Sequence, residues 1–569
     1  MKLIRVVGLP VFFVLLSSLP ALAQSWTAKL DKDISFYQPT EMGVLIAGTE
    51  KSLYAIDAST GETLWRRKDT SLDETDVAQV PGTDLLLLSL EKGDKARIEA
   101  VDILTGDSIW RSEKIKGAVL QTSVDTANNL LAVVLVKDAK SKARDGFKRR
   151  PLLHVLDLST GDELWKYDIG EVEMMPARWP EDSGKDVDYT LDNYYPPAFI
   201  DGRLYVFYEG VTSFDARSGK ERLREKYRVN EDGLALTEAE PIFTEGVIYV
   251  SGHGRVRAIS RQSGDTEWEA KDLGLTPEMV LAGDVLYVRT GGQFTRLKDG
   301  ETIERGSYGV SAIDVRSGKV LWRYKGADKG ITNLVMPDRD TIAIADRDDL
   351  IFIDASNGKR RLKVSHKIER ASFGTLNEGN NIVIGGQSEI AAFDPVSGRQ
   401  LWRARHTPPG RGILRTVAAI AARAASLYFR FGGPTMTALS WYGFASRASF
   451  TNLQALATAS NRRPRSSSGF KRFGIARRVQ DRIDPSRQLD RLSRFLWHRE
   501  RLATLQGQWM YFYTNLDRGG SGLAGVNINN GRTDREVRLS DLDERFVTDE
   551  VLGAMFTASG NRIFSHGLH

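Results

Sequence analysis

The chain has 569 residues, 41% hydrophobic and 27% charged, with a formal net charge of +5, which is an ordinary soluble balance. It contains no cysteine. That excludes disulfides, thioether haem attachment, cysteine-ligated metal sites and lipidation at a cysteine, so the fold must rest on core packing.

The first elements concern export. Lys2 and Arg5 precede an apolar run from Val6 to Leu22, and Ala21-Leu22-Ala23 offers small residues at the positions a signal peptidase reads. This predicts a signal peptide over residues 1–23. The run is short for a bilayer span of about 20 residues. The expected location is periplasmic or cell-surface, soluble after cleavage and not lipidated.

From residue 24 one pattern recurs: an apolar strand, Asp, three residues, Gly, three residues, Trp. It runs Asp57…Gly61…Trp65, Asp102…Gly106…Trp110, Asp157…Gly161…Trp165, Asp314…Gly318…Trp322 and Asp394…Gly398…Trp402. Worn copies are Asp215…Gly219…Leu223, Ser260…Gly264…Trp268, Asp354…Gly358…Leu362 and Asn527…Gly531…Arg535. The Asp side chain can accept backbone N–H bonds, and the Gly tolerates positive φ, so each copy is a tight turn between two strands. Alternating segments such as Ser52–Asp57 and a further strand upstream predict small antiparallel sheets. From Gly61 to Gly398 the glycines lie 40–58 residues apart, which fits four strands per repeat.

Ala-x-Asp-x-x-x-Gly-x-x-x-Trp resembles the tryptophan-docking motif of the pyrroloquinoline-quinone (PQQ) repeat family. That family includes PQQ-dependent dehydrogenases and the propeller lipoprotein of the outer-membrane-protein assembly machine. The resemblance implies an all-β propeller of about eight four-stranded blades over residues 24–404, completed by a final blade and ring closure over 507–569. By the same resemblance, Trp65, Trp110, Trp165, Trp268, Trp322 and Trp402 would wedge between blades, and the turns of Asp57, Asp102, Asp157, Asp314 and Asp394 would bond to a neighbouring blade. The segment Gly553 to Leu568 reads as two further strands that close the ring.

Residues 405–506 break the period, and their patterning predicts a helical insertion. Ile420 and Leu427 lie on one apolar stripe of a helix over about 412–431, with Arg415, Arg423 and Arg430 on another side. Residues 403–501 carry 20 Lys or Arg and 4 Asp or Glu, a charge of +16 that leaves −11 for the rest. Such separation concerns partners rather than fold. The basic arm folds back on the acidic ring, meets an anionic membrane surface, or binds an envelope protein. No nucleic-acid partner is expected.

Two other connections stand out. Lys137 to Arg150 reads as a basic, solvated hairpin tip. Glu171 to Tyr195 is acidic and aromatic, with Tyr189, Tyr194 and Tyr195, and is expected to line the mouth of the ring. No HExxH, GxSxG or P-loop spacing occurs, so no catalytic or metal-binding residue is assigned. The function expected is a non-catalytic binding or scaffold platform without cofactor. The alternative is an alcohol or sugar dehydrogenase holding PQQ with calcium; it would lack the vicinal disulfide of that family's best-known alcohol dehydrogenases.

Overall fold

The computed structural model describes residues 25–406 and 503–568 apart from short interruptions, the longest being 143–147, 177–185, 226–238, 296–301 and 540–545. The signal-peptide residues and the core of the 405–506 insertion, including Arg415, Ile420, Arg423, Leu427 and Arg430, lie outside the described residues. At the insertion's margins the chain is extended: Gln400–Arg405 and Ala503–Gln506 are strands of adjacent sheets.

The described residues contain no α-helix and form ten blade sheets, two more than the repeat family implies. Blade 1 runs Ile34–Pro39, Val44–Thr49, Ser52–Asp57 and Thr63–Lys68, each strand antiparallel to the one before. Blades 2 to 9 follow over residues 77–111, 118–168, 198–225, 242–270, 278–324, 335–365, 373–405 and 503–538. In blade 7 the first position is held by an isolated bridge between Val335 and Ala343. Blade 10 takes three strands from Phe546–Asp549, Ala554–Ser559 and Arg562–Gly567, and its fourth from Thr27–Lys29.

The extra blades have a simple origin. Each of the nine turn motifs, worn copies included, builds a blade of its own. The tenth has no such motif because its third and fourth strands come from distant parts of the sequence. Closing the ring leaves no long sheet edge at a chain boundary.

The core sits between blades. Phe36, Ile46, Leu53 and Ala55 of blade 1 pack with Leu86, Leu88 and Val101 of blade 2. Equivalent clusters join every later pair. The last unites Phe556 and Ile563 with Leu45, Ala47 and Ile56, and there Tyr37 donates its hydroxyl to the Phe556 carbonyl. Second and third strands are almost wholly buried, as in Val44–Thr49 and Leu130–Val136, and fourth strands expose alternate residues, as in Thr63–Lys68.

Candidate interaction face

An antiparallel four-stranded blade has two ends. The turns joining strands one to two and three to four lie at one end. The connection of strands two to three and the link to the next blade lie at the other. Backbone bonds tie each end together: Ala58 N–H donates to Gly43 O at the first, and Leu273 N–H donates to Gly254 O at the second.

The first end is uniform and anchored. In blade 1, Asp57 Oδ1 accepts from the N–H groups of Ser59 and Thr60 at 2.8 and 3.0 Å. The turns of Asp102, Asp157, Asp314 and Asp394 close in the same manner. Hydroxyl and backbone donors of Ser317 hold the Asp314 carboxyl below its ordinary range, and the backbone and hydroxyl of Ser397 do so for Asp394.

Tryptophans of the preceding blade sit on these turns. Trp65 Nε1 donates to Ile103 O at 2.7 Å, and its ring covers Gly106. Trp110 meets Leu158 O and Gly161, Trp165 meets Ala216 O and Gly219, Trp268 meets Val315 O and Gly318, and Trp322 meets Ala355 O and Gly358. Trp402 covers Gly531. A methyl group at Gly106 would lie 2.7 Å from the Trp65 ring and the residue's φ is 76°, so only glycine fits. Trp26, which motif reasoning passed over, does the same at the ring closure, donating to Ala58 O at 3.1 Å and covering Gly61.

A second set of stitches runs the opposite way. Arg323, next to Trp322, reaches back to blade 5's exit and donates to Lys271 O and Asp272 O at 3.2 and 3.0 Å. Arg403, next to Trp402, donates to the carbonyls of His366 and Lys367 at blade 7's exit. Arg66, next to Trp65, pairs with Asp31 at blade 10's exit. Where Leu223 replaces the tryptophan, Arg261 of blade 5 pairs with Asp201 of blade 4 at 2.7 Å.

The second end carries every long connection. No link at the anchored end exceeds six residues, whereas this end holds 137–150, 169–197, 226–241, 296–301 and 406–502. Two of these are joined. Lys140–Lys142 pairs with Asp186–Asp188, and Lys148–Arg149 pairs with Val172–Glu173. The basic connection is therefore a partner of the acidic one rather than a free hairpin tip. The tyrosines correct a second expectation. Tyr189, Tyr194 and Tyr195 are buried in the core of blades 3 to 5 instead of lining a mouth, because their rings carry the apolar area that seats the connection. The Arg149 guanidinium lies 4.3 Å from the Tyr189 ring centre, and Gln121 Nε2 donates to Leu191 O at 3.0 Å. The Asp346-Arg347-Asp348-Asp349 segment is a turn at this end, with Asp346 Oδ1 accepting from the N–H groups of Asp348 and Asp349.

Comparison with known proteins places this architecture. The family profile described as outer membrane protein assembly factor BamB matches residues 23–175, 193–304 and 306–442. No curated protein matches the chain. Among solved structures, BamB from Moraxella catarrhalis is 14% identical over 66% of this chain and 97% of its own, with a TM-score of 0.32. The quinohemoprotein alcohol dehydrogenase ADHIIG from Pseudomonas putida HK5 is 14% identical over 68% of each chain, with a TM-score of 0.32. The computationally designed Ika8 protein is 13% identical over 63% of this chain and 94% of its own, with a TM-score of 0.33.

Proposed function

Because the chain belongs to the family described as outer membrane protein assembly factor BamB, we propose that it is an exported envelope protein whose looped end binds protein partners and which performs no chemistry of its own. The observation that supports this is the segregation of loops. All connections longer than six residues leave from one end of the ring, and the other end is held by repeated turns. A rigid scaffold that presents variable loops on one side is the usual design of a recognition surface. The basic segment 405–506 leaves from this end, so Arg415, Ile420, Arg423, Leu427 and Arg430 belong to the proposed contact.

Photocrosslinking tests the reading. A photoreactive residue at exposed Lys51 or Arg347 reports the looped end, and one at exposed Ser59 or Val396 reports the anchored end. Adducts with envelope proteins are expected from the first pair alone. Equal capture from both pairs refutes the assignment. Paired Ile420→Asp and Leu427→Asp substitutions are expected to reduce the same adducts.

The alternative is PQQ-dependent oxidation, which needs a calcium site beside the quinone. Among the described residues, no group of three or more His, Cys, Asp or Glu side chains gathers as a metal-ligand set. Titration of the chain from residue 24 with PQQ and calcium decides this reading. Stoichiometric binding with dye-linked alcohol or sugar turnover would replace the platform reading by the enzymatic one.

A further inference from the structure

Between blades 5 and 6, at the looped end, lies a polar cavity of about 160 Å³. Its walls come from Gly274 in the connecting segment and Gly306 in the third strand of blade 6. The two approach so closely that a methyl group on Gly306 would lie 2.8 Å from the Gly274 Cα. Both have positive φ, 74° and 80°, so the walls are bare backbone by necessity.

The floor is Ser311. It is 2% exposed and lies opposite Val288 and Arg323 in the strand register. It lines the cavity, where its hydroxyl can donate to a ligand. Thr290 adds a second hydroxyl, committed only through a long 3.4 Å bond to Ser307 O.

The rim is cationic. Arg323 and Lys325 both line the opening, against one carboxylate, that of Asp272. Arg323 spends two donors on Lys271 O and Asp272 O and has others to offer. Lys325 has no ion-pair partner among the described residues. Hydroxyl donors below and ammonium and guanidinium groups above are a complement for an oxyanion, and the volume suits a group of a few heavy atoms.

We propose that this cavity binds a carboxylate, with Ser311 and Thr290 donating from below and Lys325 and Arg323 from the rim. The carboxylate comes from a small free acid or from an acidic side chain of a bound polypeptide. The assignment rests on the cavity alone and stands or falls separately from the crosslinking result at the looped end.

Calorimetric titration of the full chain with sodium acetate, and separately with a capped Ala-Glu-Ala peptide, tests it. Sodium chloride and the Ala-Gln-Ala peptide serve as controls. Binding of acetate identifies a free-acid site, and binding of the Glu peptide alone identifies a polypeptide source. In either case Lys325→Ala and Ser311→Ala are each expected to weaken binding about tenfold, the value of one charge-assisted hydrogen bond. Lys325 is exposed, so its replacement leaves the fold intact. Absence of binding by both probes, or binding unchanged in Lys325→Ala, overturns the proposal.

Discussion

Arg323 Nη1 donates to the carbonyl of Asp272 at 3.0 Å, and Asp272 holds a φ of 58°. Non-glycine residues seldom enter that region. Lys367, at φ 52°, is held the same way by Arg403 two blades on. In both places the arginine of one blade fixes a left-handed residue at the exit of the blade before it. Arg323→Ala is expected to cost on the order of 1 kcal/mol in urea unfolding. Asp272→Gly removes the backbone strain, and is expected to recover stability by up to about 1 kcal/mol in both backgrounds.

The forward stitch is expected to cost more. Gly106→Ala forces a methyl group into the Trp65 ring while leaving the residue at φ 76°. Trp65→Ala removes the ring and leaves Ile103 O without its indole donor. Each is expected to destabilise by roughly 3–5 kcal/mol, read from the urea midpoint. Together they should cost less than the sum, since the single changes damage one contact.

The junction of blades 4 and 5 relies on charge in place of a ring. Arg261 bonds to Thr244 O at 2.7 Å and pairs with Asp201. Arg261→Ala is expected to raise amide exchange in strands Arg203–Val206 and Val247–Gly252 before the rest of the ring. Uniform exchange around all ten blades would contradict a local clasp.

Three histidines are expected to make the ring acid-sensitive. His366 Nε2 donates to Asp346 O at 3.0 Å while its Nδ1 accepts from Ile368 N–H at 3.0 Å, an arrangement only the neutral ring satisfies. Burial lowers its pKa, and those of His406 and His566. A lowered histidine stabilises the fold above its unfolded pKa of about 6.5 and loses that contribution as pH falls below it. The melting temperature is expected to drop between pH 7 and 5, and His366→Gln should flatten the drop.

Asp31 acts in a lower window. Burial works to raise its pKa, but the hydroxyls of Ser52 and Thr49, with Arg66, outweigh it and bring the value to about 2. Its contribution is complete above the unfolded value near 3.9 and is lost as pH falls toward about 2. Asp31→Asn is expected to lower stability at pH 7 and make little difference at pH 2, measured by chemical denaturation at the two values.

The turns were legible because Asp, Gly and Trp lie within one strand, turn and strand. Trp26 was not, since its place in the repeat appears only when strand Thr27–Lys29 is set beside Arg562–Gly567. The backward arginines left a faint trace: the dipeptide Trp-Arg recurs at 65–66, 110–111, 322–323 and 402–403. Their acceptors are mostly backbone carbonyls, which carry no residue signature, and Arg111 turns instead to Glu99 of its own blade. The opposite charges of 137–150 and 171–195 were visible separately. Their ladder was hidden because it joins a link within blade 3 to the link leaving it. The cavity above Ser311 depends on glycine walls brought together by packing, and no spacing announces that.

Ring closure has a temporal meaning. Thr27–Lys29 pairs with Arg562–Phe564, and Trp26 then caps Ala58. The two partners lie more than 500 residues apart in the sequence, so the ring closes only when the last strands fold. Until then blade 10 is missing, Trp26 lacks the sheet that positions it, and the apolar flank of blade 1 is bare. The ring is therefore expected to persist as an open arc until residues 546–567 fold, and a chain cut short before residue 546 is expected to remain one, with two apolar ends available to chaperones or to other incomplete copies.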